Sequence, residues 1–105
     1  MPHALVLAIT GDVDVAMEEP FRRLLGEALA EAPGLLILEV GSAFLDVRGV
    51  SVLLEIVERG RDSRVRVVLA APGSLLRRVL TLVAPDGRVR CYESIADALA
   101  DQEPG

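Results

Sequence analysis

The stretch Leu35-Leu36-Ile37-Leu38-Glu39-Val40-Gly41-Ser42-Ala43-Phe44-Leu45-Asp46-Val47-Arg48-Gly49-Val50 decides the fold. From Leu35 to Val40 it is apolar apart from Glu39. A run that short and that continuous is expected of a strand covered on both faces. Gly41-Ser42 interrupts it, and Ala43 to Asp46 leads into a helix that the spacing begins near Arg48. Val50, Leu53, Leu54 and Val57 recur at helical intervals and mark its buried face, with Gly60 at its end. A buried strand running through a short turn into an amphipathic helix is the repeating step of a layered α/β domain.

The same step is legible on both sides. Upstream, Ala4 to Thr10 reads as a strand ending at Gly11-Asp12. Glu18, Glu19 and Pro20 then open a helix, since acidic residues and proline suit a first turn with free N–H groups. Phe21, Leu25, Ala28, Leu29 and Ala32 form its apolar stripe, and Pro33-Gly34 stops it. Downstream, Val65 to Ala70 is a third strand. Pro72-Gly73-Ser74 starts a helix with stripe Leu75, Leu76, Val79, Leu80 and Val83, Ser74 being the expected N-cap. Pro85-Asp86-Gly87 is a turn, and Arg88 to Tyr92 a last strand. Ser94-Ile95-Ala96-Asp97 is like a capping box with Asp in place of Glu, and opens a helix through about Asp101. The polar tail 102–105 is expected to be disordered. Neither a repeat nor a linker divides the chain, so a single domain over 1–105 is expected.

Composition narrows the chemistry. The chain has 105 residues, 51 % of them hydrophobic and only 3 % aromatic, so its core must be aliphatic. All eleven basic residues are Arg, and there is one His (His3) and one Cys (Cys91). Without Lys there is no P-loop and no Schiff base. One His and one Cys cannot build a His/Cys zinc site. A net charge of -5 argues against nucleic acid, whose phosphates call for a basic face. The longest apolar run, Ala4 to Ile9, is far below the roughly 20 residues of a membrane span. These features point to a cytoplasmic, non-enzymatic domain with no cofactor and no direct membrane insertion.

Four segments in order resemble the STAS domain family, the domain of bacterial anti-sigma factor antagonists and of sulfate-transporter tails. They are Ile9-Thr10-Gly11-Asp12-Val13-Asp14, the strand–turn–helix from Leu38 to Val50, Pro72 to Leu80, and Tyr92 to Leu99. The resemblance implies a STAS-like α/β fold: a central mixed sheet of four or five strands and about four helices, mostly on one side. It implies an anti-sigma factor or similar regulatory protein as partner, bound through the turn and second helix. The implied contact residues are Asp12, Asp14, Asp46, Val47, Arg48, Gly49, Val50 and Ser51. The sequence departs from the family at the turn. Val47 stands where the family carries its phosphoacceptor serine, and Arg48 at the second hydroxyl position. An N-terminal strand usual before Ala4 is missing or reduced, which leaves homodimerisation through a free sheet edge open.

The turn residues also have plainer readings. Asp46 is expected to cap the second helix, and Gly49 to give the backbone room. Arg48 sits where the helix dipole disfavours a cation, so it pairs with Asp46 or Glu55, is simply solvated, or serves a partner carboxylate or an anion. Ser51 is read as an ordinary helix serine before a substitute phosphoacceptor. Asp12 and Asp14 are read as turn and helix-start capping residues before a paired-carboxylate site. Arg77-Arg78 and the Arg64, Arg66 pair are either anion patches or solvated charges pairing with Glu55, Glu58 or Asp62. Cys91 is expected to be buried as a small hydrophobe. Two further functions fit the same resemblance: an accessory STAS subunit of an ABC-type membrane transport assembly, and a nucleotide- or anion-sensing module using Arg48.

Overall fold

The computed structural model describes residues 4–13 and 15–101; Asp14, His3 and the tail expected to be disordered lie outside them. Strands β1 (Leu5–Val13), β2 (Leu35–Leu45), β3 (Arg66–Ala70) and β4 (Arg90–Tyr92) alternate with helices α1 (Glu18–Glu31), α2 (Val47–Asp62), α3 (Ser74–Val83) and α4 (Ile95–Asp101). A short 3₁₀ turn, Val15–Met17, precedes α1.

The strands form one sheet in the order β1-β2-β3-β4, with the three pairings all parallel. The expected four strands and four helices are present, but among the described residues the sheet is parallel rather than mixed. Each of the first three strands is followed by a helical crossover, and such a connection returns the chain in the same direction. Successive crossovers that advance one way along a sheet, each of the same hand, leave their helices on one face. Phe21 and Leu25 of α1, Leu53 and Ile56 of α2 and Leu80 of α3 accordingly share one core with Leu36, Leu38, Val67 and Leu69. Helix α4 follows the last strand and is no crossover. It covers the other face, where Ala98, Ile95 and Leu99 meet Leu35, Ile37, Val68 and Ala70. Alternate residues of β2 thus enter two different cores, which is why Leu35 to Val40 reads as an unbroken apolar run.

Four boundaries differ from those expected, each for a local reason. Strand β2 does not stop at Gly41. Between Ala8↔Glu39 and Thr10↔Ser42 β2 advances by one residue more than β1, a β-bulge, and the pairing then continues to Val13↔Leu45. Glycine in a strand can mark a bulge as well as an end. Helix α2 runs past Gly60 to Asp62. A Cβ at Gly60 would lie 2.6 Å from the Val65 carbonyl oxygen and 2.7 Å from Val67 Cγ2. The glycine is required by the returning chain rather than by helix termination. The N-cap of α3 is Gly73, with no side-chain hydrogen bond, so Ser74 is already helical and does not cap. The expected start of β4 at Arg88 moves to Arg90 because the Arg88 N–H is taken by Asp86 Oδ1 at 3.3 Å. At α4 the expected cap is present: Ser94 Oγ accepts from the Asp97 N–H at 3.0 Å.

Candidate functional site

Beyond the bulge, β1 and β2 continue as a two-stranded ribbon past the end of β3, and α2 starts from the tip of that ribbon. Only Asp46 intervenes between β2 and α2. Its backbone N–H donates to the Val13 carbonyl at 3.2 Å. Its side chain accepts from the N–H groups of Arg48 and Gly49, both at 3.0 Å. Asp46 is therefore the N-cap of α2, as expected, and it occupies the free donors of the first turn. Gly49 is buried, and a Cβ there would meet Leu45 Cδ2 at 3.0 Å and Val13 Cγ1 at 3.3 Å. The glycine lets α2 lie close against the ribbon.

Apolar and charged side chains are both presented around the tip. Val47 is 73 % exposed and Phe44, three residues earlier on the ribbon, is 60 % exposed. Arg48 does not take either of its expected partners. Its guanidinium reaches across to Glu18 Oε1 at 3.0 Å, at the start of α1. Glu18 also accepts from Arg22 at 3.1 Å, and Arg22 in turn reaches Glu19 and, at 3.0 Å, Glu55 of α2. Five charged groups thus link the start of α1 to the first three turns of α2. Hydrogen bonds from Arg48 and then Arg22 hold the Glu18 carboxyl below the usual glutamate range. The cation that the α2 dipole disfavours is offset by an acid from another helix, an acid which itself suits the first turn of α1.

Of the eight residues implied as contacts, Asp12, Val47, Arg48 and Ser51 are exposed. Gly49 and Val50 are buried and shape the site from beneath. Asp12 stands in β1 opposite Phe44, not in a turn, and the N-cap of α1 is Met17, so Asp12 does not cap that helix. Asp14 lies outside the described residues. Ser51 Oγ donates to the Val47 carbonyl at 2.9 Å, the back-bond of an ordinary helix serine. Two contributors are not among the contact residues expected from the sequence, Phe44 and Glu18. Phe44 faces outward because the bulge shifts the parity of the strand, and Glu18 joins the site only through the approach of α1 to α2. Beside Asp12, the groove between β1 and α1 encloses about 270 Å³ and exposes Met17 and Leu24. Cys91 is half-buried against the main core, and burial pushes its thiol pKa up. No group of three or more metal-ligating side chains converges among the described residues. None of the described helices is long and apolar enough to cross a membrane.

The fold and the capped turn define a class, and the family model for the STAS domain matches residues 1–98. The chain belongs to the STAS domain family. It is 29 % identical over 101 residues, 95 % of its own length and 82 % of the relative's, to the anti-sigma-F factor antagonist RsfB of Mycobacterium tuberculosis. The crystal structure of an anti-sigma factor antagonist from Mycobacterium paratuberculosis superposes with a TM-score of 0.78 at 23 % identity, covering 91 % of this chain and 82 % of that one. The STAS domain of a SulP transporter from Vibrio cholerae superposes with a TM-score of 0.68 at 26 % identity, over 96 % of this chain and 82 % of that one.

Proposed function

We propose that this domain is a non-enzymatic regulator of the anti-sigma factor antagonist type, which binds an anti-sigma factor through the ribbon tip and the first turns of α2. The observation that carries this reading is the exposure of two apolar side chains on either side of Asp46, Phe44 near the end of β2 and Val47 at the start of α2. An aromatic and a branched aliphatic side chain held in water on a rigid, capped turn are the groups that gain most from being covered by a partner. Asp12, Arg48 and Ser51 supply a polar rim.

Val47 has no hydroxyl, so the usual acceptor position takes no phosphoryl group, and the domain stays in one binding state. A phosphate there would add about -1.5 to -2 charges to the contact. Ser51, with its hydroxyl engaged to the Val47 carbonyl, is not a ready substitute. Calorimetric titration of the purified domain with the anti-sigma factors of its own source tests the reading. A stoichiometric complex that Val47→Asp abolishes is expected, and failure of the intact domain to bind any of them would sink it. Incubation with a kinase active on related domains is expected to leave the chain unmodified by mass spectrometry. Stoichiometric phosphate on Ser51 would overturn the single-state claim.

The similarity to a SulP transporter STAS domain favours one second reading, a subunit of a membrane transport assembly. Co-purification with a transport ATPase or permease instead of an anti-sigma factor would select it. An anion sensor centred on Arg48 has less support, because that guanidinium is engaged by Glu18.

A further inference from the structure

The other end of the sheet holds a feature that the proposed binding surface does not use. Five of the eleven arginines of this acidic chain, Arg61, Arg64, Arg66, Arg88 and Arg90, line one cleft of about 570 Å³. They come from the end of α2, the loop after it, the start of β3 and the approach to β4. These are the N-terminal ends of the parallel strands. The tip at Asp46 lies at the far end of β2, about 30 Å away along the strand.

Like charges brought together repel unless something compensates them. Arg88 is shared between Glu58 at 3.5 Å and Asp86 at 3.4 Å, and Arg90 reaches Asp101 at 3.6 Å. Arg88 Nε is the atom that faces Asp86, and it is removed from solvent without meeting the geometry of a hydrogen bond. Arg61 and Arg64 are exposed, and among the described residues neither has a carboxylate at salt-bridge distance.

Arg64 carries the second observation. It closes α2 in a Schellman turn: the Val65 N–H donates to the Gly60 carbonyl at 2.7 Å, and the Arg64 N–H to the Arg61 carbonyl at 3.2 Å. The residue at this point of the motif is left-handed and is usually glycine. Here it is an arginine with φ of 61°. A glycine would serve the backbone better, so the side chain is kept at a conformational cost, and that side chain lines the cleft.

We infer that this cleft binds a compact polyphosphate anion, of which inorganic pyrophosphate is the simplest example. One carboxylate satisfies one guanidinium fork, whereas a diphosphate offers oxygens to several at once. The rest of the lining is glycine and valine, with no aromatic ring to stack a base. Recognition therefore rests on the phosphates, whether free or carried by a nucleotide.

Thermal-shift and calorimetric titrations of the full chain with pyrophosphate, tripolyphosphate and ADP test this. Pyrophosphate is expected to raise the melting temperature of the wild type, with an affinity that falls as salt is added. ADP is expected to bind no more tightly than pyrophosphate; markedly tighter ADP binding would overturn recognition through phosphate alone. Arg61→Gln is expected to weaken pyrophosphate binding by about tenfold or more, the worth of one charge-assisted hydrogen bond. Arg64→Gly separates site from fold: without ligand it is expected to melt higher than the wild type, yet to lose at least a comparable share of pyrophosphate affinity. No response of the wild type to millimolar pyrophosphate, or unchanged binding in both variants, would overturn the proposal. Neither outcome bears on the anti-sigma factor reading, which concerns the opposite end of the sheet.

Discussion

The two ends of α2 each carry an arginine where local rules disfavour it, and they resolve the conflict differently. At the N-terminus Arg48 faces the positive end of the helix dipole, and Glu18 of α1 answers it at 3.0 Å. At the C-terminus Arg64 occupies a left-handed position that favours glycine, and no carboxylate of the described residues answers it. A charge compensated inside the fold serves architecture: it ties α1 to α2 beneath the exposed Val47. A charge retained against backbone preference and left facing a cleft is placed for something outside the chain. The same residue type therefore has a structural use at one end of a helix and a binding use at the other.

Four substitutions break or sharpen this contrast. The largest effect is expected at Gly60, where the chain after α2 returns against the helix. Gly60→Ala puts a Cβ 2.6 Å from the Val65 carbonyl oxygen. It is expected to lower stability by about 2 kcal/mol in urea denaturation, an overpacking cost that exceeds the helix-propensity gain of alanine. Next is the N-terminal cap: Asp46→Ala removes two accepted hydrogen bonds and is expected to cost about 1 kcal/mol by the same measurement. Arg64→Gly is expected to go the other way and stabilise the chain by about 0.5–1 kcal/mol. Relief of the left-handed strain outweighs the extra freedom of glycine in the unfolded chain. A loss of stability here would mean that Arg64 is held by the fold after all, and would erase the contrast between the two ends.

The smallest effect is the one that depends on pH. Glu18 has a folded-state pKa below its ordinary value, chiefly through the hydrogen bond from Arg48. A depressed carboxylate contributes stability above its unfolded pKa, and that contribution is lost as pH falls through the folded value. Glu18→Gln is therefore expected to melt slightly below the wild type at neutral pH and to match it in acid. Added salt is expected to shrink the difference at neutral pH, because the pair is close to solvent. A difference independent of pH would show that Glu18 acts by packing alone.

Much of the fold was legible from residue order. Leu35 to Val40 announces a doubly covered strand because both of its faces meet an apolar layer, α2 on one and α4 on the other. The helical stripes of α1 and α2 and the Asp46 cap are local patterns, and local patterns survive translation into structure. The parallel sense of every pairing was missed because sequence spacing records that strands alternate with helices, not which way neighbouring strands run. The extension of β2 through Gly41 was missed because the same glycine serves as a strand stop or as a bulge. Only pairing with β1 distinguishes the two. Phe44 was lost with it, since one inserted residue reverses which side chains face out.

The sequence by itself determined the aliphatic core, the alternation of strands and helices, the family, and the valine at the turn. These follow from residue identity and from spacings of a few positions, which the chain cannot change by folding. The tertiary structure alone decided which charges meet. Arg48 finds Glu18, 30 positions away, and arginines from four separate segments share one cleft. Side-chain electrostatics depends on distances through space, and only the crossing of α1, α2 and the sheet sets those distances.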